Sequence, residues 1–232
     1  MLTLADRCTL ARLVIAPIIA LAYVLLPTEP VIVFWVVGLL CGLAEITDFL
    51  DGRIARARCE VSDFGKLADP FCDVFYRLTV FMVYLLPVGG VGYALAEPTN
   101  WWWQPLSFAV ADGAGGTQLV AGTVPFIPVL LMTLREIIAG ALRSMAATKG
   151  LVLAARTSGK VKAWLQGVTV ISLVGWPAVT VGQAEWQLTF AIVATWICAL
   201  VSVASIVEYI WVNRDVLGQL AMRKKLEPTE EQ

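Results

Sequence analysis

The 232 residues include no histidine. That excludes Ser-His-Asp triads, histidine metal sites and imidazole acid–base chemistry. Charge is scarce as well: Asp, Glu, Lys and Arg make up 15% of the chain, against roughly a quarter in an ordinary soluble domain. The net charge of −1 gives no footprint for nucleic acid. The five cysteines, Cys8, Cys41, Cys59, Cys72 and Cys198, are odd in number and form no C-x-x-C pair, so neither a zinc site nor a disulfide framework follows. They read as buried small hydrophobes. Gly89, Gly90 and Gly92 lack the strand–turn–helix context of a nucleotide loop. No internal repeat is present to support an inverted-repeat transporter.

What the chain has is apolar length. Hydrophobic residues make up 59% and the mean hydropathy is +0.77. Six stretches approach the roughly 20 residues that cross a bilayer: Leu10–Leu26, Val31–Ile46, Leu78–Val91, Val124–Met132 continuing to Ala147, Val161–Val181 and Trp186–Val212. Lys and Arg are missing from residues 27–30, 87–123 and 182–185. With six spans, all the basic residues then fall toward one face, which the positive-inside rule assigns to the cytoplasm together with both termini. The expected fold is all-α: an integral membrane protein of six transmembrane helices over residues 1–215, followed by a polar cytoplasmic tail, 216–232. The segment between spans three and four, with Trp101, Trp102 and Trp103, reads as an outer loop at headgroup level. Gly38 and Gly42 form a G-x-x-x-G that permits close packing within the chain or between chains.

The informative stretch runs from Asp48 to Asp73. Asp48 and Asp51 stand three apart, Asp69 and Asp73 four apart, and either spacing puts two carboxylates on one helix face. The first pair continues span two and the second opens span three, so two antiparallel neighbours would gather four acids near the membrane boundary. Such a cluster is costly unless neutralised. Hard oxygen ligands suit magnesium, calcium or manganese, and two divalent ions would balance the four charges. A two-metal site matches displacement at phosphorus. Gly52 and Ala55 remove bulk where a ligand could approach, Arg56 can fork onto a phosphate, and Gly65 lies in the loop before the second pair.

The pattern D-x2-D-G-x2-A-R-x8-G-x3-D-x3-D is matched without a gap by Asp48, Asp51, Gly52, Ala55, Arg56, Gly65, Asp69 and Asp73. It resembles the signature of the CDP-alcohol phosphatidyltransferase family, six-helix membrane enzymes that transfer a phosphatidyl group from CDP-diacylglycerol to an alcohol and release CMP. The resemblance implies that the four aspartates bind two divalent cations, magnesium or manganese, and that Asp73 is also the general base. It implies that Gly52, Ala55 and Arg56 hold the CDP moiety together with Gly65, and that Ser62 contacts the nucleotide. The family places this site at the cytoplasmic face and is commonly homodimeric.

A second basic set is Arg135, Arg143, Lys160 and Lys162. Arg135 and Glu136 stand about 11 residues into span four, deep for charges in a crossing of this length. Glu136 and Arg143 are seven apart, two turns along one face, and could pair. Cations beside a phosphoryl site suggest an acceptor that itself carries phosphate. The segments LREIIAGALRSMAATKG and SGKVKAWLQG, with the opening DRCTLARLVIAP, are similar to bacterial phosphatidylglycerophosphate synthases. That similarity implies sn-glycerol 3-phosphate as acceptor and an inner bacterial membrane as location. Asp6, Val74 and Ala163 depart from the residues usual there. Rival readings are a family member with another acceptor (inositol phosphate, serine, or phosphatidylglycerol as in cardiolipin synthase), a divalent-cation transporter using the aspartates, and a non-catalytic scaffold.

Overall fold

Long apolar runs with few breakers favour long helices. The computed structural model describes residues 4–26, 29–58, 63–89, 94–95, 103–111, 117–148, 157–179 and 185–221. In order these form α1 Leu4–Leu25, α2 Pro30–Arg58, α3 Asp63–Val83, β1 Ala94–Leu95, β2 Pro105–Ala111, β3 Thr117–Pro125, α4 Phe126–Thr148, α5 Thr157–Val179, α6 Glu185–Val212 and α7 Arg214–Ala221. Pro30 opens α2 at the first helical position, where its missing N–H costs nothing. Glu185 places a negative charge in the first turn of α6, against the positive end of the helix dipole. Among the described residues three segments are long and apolar enough to cross a membrane: Asp6–Leu25, Pro30–Thr47 and Glu185–Val212.

Apolar side chains face outward as well as into the core, and some polar ones are buried among them. On α1 the exposed positions include Val14, Ile18, Leu21 and Leu25, while Asp6, Thr9 and Arg12 are buried. On α6, Ile197, Leu200, Val207 and Trp211 are exposed, while Thr195, Ser202 and Ser205 are buried. Facing water, such apolar stripes would be a liability. Facing hydrocarbon, the outward apolar chains lose nothing, and the inward polar ones find partners there.

The two helices bearing the aspartate pairs are expected from the sequence to be direct neighbours. Among the described residues each packs most extensively against α1, and α2 also packs on α5. A described bridge between α2 and α3 is the Tyr76 hydroxyl, which donates to the Cys41 carbonyl at 3.5 Å. Above it, Tyr23, Phe34 and Tyr84 form a buried aromatic cluster with centroids 4.9 to 6.3 Å apart. The Tyr23 hydroxyl donates to the Leu86 carbonyl at 3.2 Å and fixes the turn after α3 to α1. Of the G-x-x-x-G pair, Gly38 serves packing within the chain: a Cβ there would meet Val174 of α5 at 3.2 Å, whereas at Gly42 it would meet nothing within 4 Å. Cys41, Cys72 and Cys198 are buried free thiols and Cys8 is half-buried, while Cys59 lies outside the described residues.

The all-α expectation fails in the outer segment. There β1, β2 and β3 form an antiparallel sheet in that order. The span-four start at Val124 is also corrected, because β3 runs to Pro125 and α4 begins at Phe126. The signal was in the β-branched and aromatic positions of PLSFAVA and TQLVAGTVP, bracketing an Asp-Gly step typical of hairpins. The end of β3 is tied to the helices by Thr123 and Val124, whose amides donate to the Tyr84 carbonyl at 2.8 and 3.2 Å. Trp103 stacks on Trp196 of α6 at 5.8 Å. Where the tail is expected, α7 occupies the first residues, with Asn213 at the joint donating to the Tyr209 carbonyl at 2.8 Å.

Gly122 lets β3 cross the turn after α3 at close range. A Cβ there would stand 2.2 Å from the Leu85 carbonyl oxygen. Gly122→Ala is therefore expected to cost about 2 kcal/mol or more through forced backbone movement. Thermal unfolding in detergent checks this, with Gly42→Ala as the open-space comparison expected to hold or raise the melting temperature.

Candidate active site

The signature residues fall on two helices. Asp48, Asp51, Gly52, Ala55 and Arg56 lie on the last turns of α2, a single unbroken helix from the apolar run through both acids. Asp69 and Asp73 lie on α3, and so does Gly65, which is expected in a loop but sits in the first turn, because α3 starts at Asp63. Ser62 lies outside the described residues. Of the eight signature positions only Asp73 has a described side chain; those of Asp48, Asp51, Gly52, Ala55, Arg56, Gly65 and Asp69 lie outside them.

The Asp73 carboxylate is held by two guanidinium groups. Arg77 Nη2 lies 3.0 Å from Asp73 Oδ1, and Arg12 Nη1 lies 3.8 Å from the same oxygen. The Arg12 side chain is 1% exposed, against 26% for Asp73. The carboxylate therefore faces an opening while its counter-charge is sealed beneath it. A buried arginine is tolerable only when paired, and α1 packs against α3 where this pairing is made. Arg77 also reaches across to α5, where its Nη1 donates to the Ala163 carbonyl in a close contact. The helix passes the guanidinium at Gly167, where a Cβ would stand 3.9 Å away.

Motif reading passes over Arg77, and it gives Arg12, which lies in the opening DRCTLARLVIAP, no role at the site. The signal for Arg77 is its position four residues after Asp73, one turn on along the same face. The signal for Arg12 is a cation inside an apolar run, a functional candidate by default in a membrane segment.

The second cluster centres on Glu136 of α4, whose side chain is 5% exposed. Lys162 of α5 forms a close ion pair with Glu136 Oε1, and Arg135 Nη1 lies 3.0 Å from Oε2. Arg135 Nε donates to Ser205 Oγ of α6 at 3.1 Å, and Ser205 passes its own proton to the Ser202 carbonyl at 2.8 Å. One carboxylate thus ties three helices. The pairing of Glu136 with Arg143 is not made. Both Glu136 oxygens are engaged by nearer cations, and Arg143, which is exposed, donates to the Ala139 carbonyl of its own helix at 3.2 Å. Lys160 is exposed as well, since two residues along a helix turn it about 200° from Lys162. Of the four basic residues expected to converge, the structure brings Arg135 and Lys162 onto one carboxylate, and Arg143 and Lys160 stay outside that group. Among the described residues no three metal-ligating side chains come together.

The sequence profile of the CDP-alcohol phosphatidyltransferase family matches residues 2–207. The CDP-diacylglycerol–glycerol-3-phosphate 3-phosphatidyltransferase of Bacillus subtilis (strain 168) is 28% identical over 230 residues, covering 94% of this chain and 98% of that protein. The protein of the same description from Rickettsia felis is 40% identical over 70 residues, 30% of this chain and 37% of its own length. A candidate cardiolipin synthase of Mycobacterium tuberculosis (strain ATCC 25618 / H37Rv) is 31% identical over 126 residues, 54% of this chain and 51% of its own. The chain thus spans about a third of the Rickettsia relative's length and half of the mycobacterial one's.

Removing the shared counter-ion leaves two buried cations facing each other. Glu136→Ala is expected to cost about 3 kcal/mol, the scale of breaking a buried ion pair from one side. The loss is read as a fall in unfolding midpoint, and an unchanged midpoint would mean that this carboxylate does not hold the three helices together.

Proposed function

The chain belongs to the CDP-alcohol phosphatidyltransferase family, and from that membership we propose that it transfers the phosphatidyl group of CDP-diacylglycerol to sn-glycerol 3-phosphate, yielding phosphatidylglycerophosphate and CMP. The class follows from the family: a membrane-embedded transferase of phospholipid biosynthesis. The choice of acceptor is carried by one observation. Inside the bundle Arg135 and Lys162 share the single Glu136 carboxylate, a group with one cation more than it has anions. Cations in such a place suit an anionic acceptor better than a neutral one. The Bacillus relative, aligned over nearly the whole chain, bears a name that specifies glycerol 3-phosphate.

In this reading the protein crosses the inner membrane of a bacterium six times, with both termini and the site on the cytoplasmic side. Asp48, Asp51, Asp69 and Asp73 are the ligands for two divalent cations. An all-carboxylate set without histidine is hard and fits magnesium or manganese. Bound there, the cations would supply charge neutralisation to the diphosphate. Gly52, Ala55 and Gly65 leave room for the CDP moiety, and Arg56 and Ser62 hold it. Arg135 and Lys162, the two cations that share the Glu136 carboxylate, hold the acceptor phosphate, and Arg143 and Lys160 stay outside that group. Asp73 takes the proton of the acceptor 1-hydroxyl. The freed oxygen attacks the β-phosphorus, its new P–O bond forms as the bond to the bridging oxygen breaks, and CMP leaves with that oxygen.

The deciding measurement is CMP release from CDP-diacylglycerol by the purified protein in detergent, with and without glycerol 3-phosphate and a chelator. Release should require both the acceptor and free divalent cation. The mycobacterial relative favours phosphatidylglycerol as a second acceptor to include. Transfer to that lipid or to inositol phosphate, with none to glycerol 3-phosphate, would overturn the acceptor. Activity untouched by chelator would remove the metals. Asp73→Asn should lower turnover at least about a hundredfold in a protein that still folds, and full activity there would take the base role from Asp73.

A further inference from the structure

The geometry points to Arg77 as a positioning residue that couples the Asp73 carboxylate to the acceptor side of the site; the inference rests on the phosphatidyl-transfer reading above. One guanidinium does two jobs on two helices. Its Nη2 holds Asp73 Oδ1 at 3.0 Å on α3, and its Nη1 donates to the carbonyl of Ala163 on α5. Ala163 follows Lys162 directly, and Lys162 is fixed by Glu136, which also holds Arg135. A continuous polar chain therefore runs from Arg12 through Asp73, Arg77, the α5 backbone, Lys162, Glu136 and Arg135 to Ser205. Arg77 is the member that joins its two halves.

The chemistry of the side chain fits a joint. Arginine presents rigidly spaced donors in one plane, so a carboxylate and a carbonyl bound by the same group are held at a set separation. Lysine offers a single flexible point charge and can serve one partner well at a time. The joint is also buried: the side chain is 12% exposed, and its Nε makes no hydrogen bond among the described residues. An unmet buried donor is a cost, and the two contacts at the other end of the guanidinium offset it. Both terminal nitrogens are already engaged within the protein, so Arg77 acts on Asp73 and α5 and leaves the acceptor to the other cations.

The consequence is kinetic. A base displaced by about 1 Å from its acceptor hydroxyl can lose a hundredfold in rate. Arg77→Met should lower kcat by about a hundredfold, leaving KM for CDP-diacylglycerol and for the acceptor within about twofold of wild type. Arg77→Lys keeps the charge without the fork and should recover no more than about a tenth of wild-type turnover. Either variant with wild-type kcat overturns the inference, as does a large rise in acceptor KM at unchanged kcat, which would make Arg77 a binding residue. If Arg77→Met fails to fold, the kcat of Arg77→Lys decides alone: a loss of tenfold or more supports the coupling and full turnover refutes it. Wild-type protein assayed in parallel, against whichever acceptor it uses, separates the two claims. Wild-type inactivity with every acceptor refutes the reaction and the coupling built on it, whereas a wild type and Arg77 variants that turn over equally refute the coupling alone.

Discussion

Charges inside an apolar bundle have to neutralise one another, because neither lipid nor hydrocarbon side chains will solvate them. Much of the helix arrangement follows from that constraint. Arg12 enters the interior from α1 and is matched by Asp73 from α3. Lys162 enters from α5 and is matched by Glu136 from α4. Each pairing limits how far a helix can rotate or slide, since a buried charge separated from its counter-ion is left with its desolvation uncompensated. Apolar packing alone is more permissive: Val, Leu and Ile on α1 or α6 could slide by a turn and still face lipid. The ionic groups remove that freedom.

Seen this way, the buried hydroxyls of α6 have a defined task. Ser205 receives Arg135 and hands its own proton to a main-chain carbonyl one turn back. The arginine head is thereby satisfied without a second carboxylate, which would add another buried anion. Thr195 does the simpler thing and donates to the Ala191 carbonyl of its own helix at 2.6 Å. Small polar residues inside membrane-type helices commonly settle their hydrogen bonds in these two ways, across to a neighbour or back along the helix.

The sequence carried the helices and the aspartate register well, because long apolar runs and one-turn spacings are local properties. Asp48 and Asp51 do continue the apolar run of their helix, and Asp69 and Asp73 do share one helix. Long-range choices were less legible. The seven-residue spacing of Glu136 and Arg143 correctly places both on one face of α4, yet spacing says nothing about a competitor arriving from another helix, and Lys162 is that competitor. The hairpin in the outer segment was hidden by its tryptophans and glycines, which invite a loop reading, although the alternating residues of β2 and β3 were there to be counted. Arg77 was hidden for a different reason: it stands four residues past the end of the signature, where attention to the motif stops.

The placement of α5 has a chemical rationale under the proposed reaction. The two substrates come from different phases: the lipid-linked nucleotide lies in the membrane, and the acceptor is dissolved in water. A site for both has to be assembled from helices that can each be approached from one side, and then kept in register. The signature acids ride on α2 and α3, while Arg135 rides on α4, and α5 packs on α2, α3 and α6. It is therefore the element placed to transmit position between the groups. Its sequence reflects that duty, with Lys162 and the Ala163 carbonyl engaging opposite halves of the polar chain and Gly167 leaving α5 close to the Arg77 guanidinium. A Cβ at 167 would still make only ordinary contact with that guanidinium, at 3.9 Å, so the spacing of α5 from α3 rests on the polar chain itself. The register of this helix, more than the strength of any single ion pair, is then what keeps acceptor and base in reach of each other.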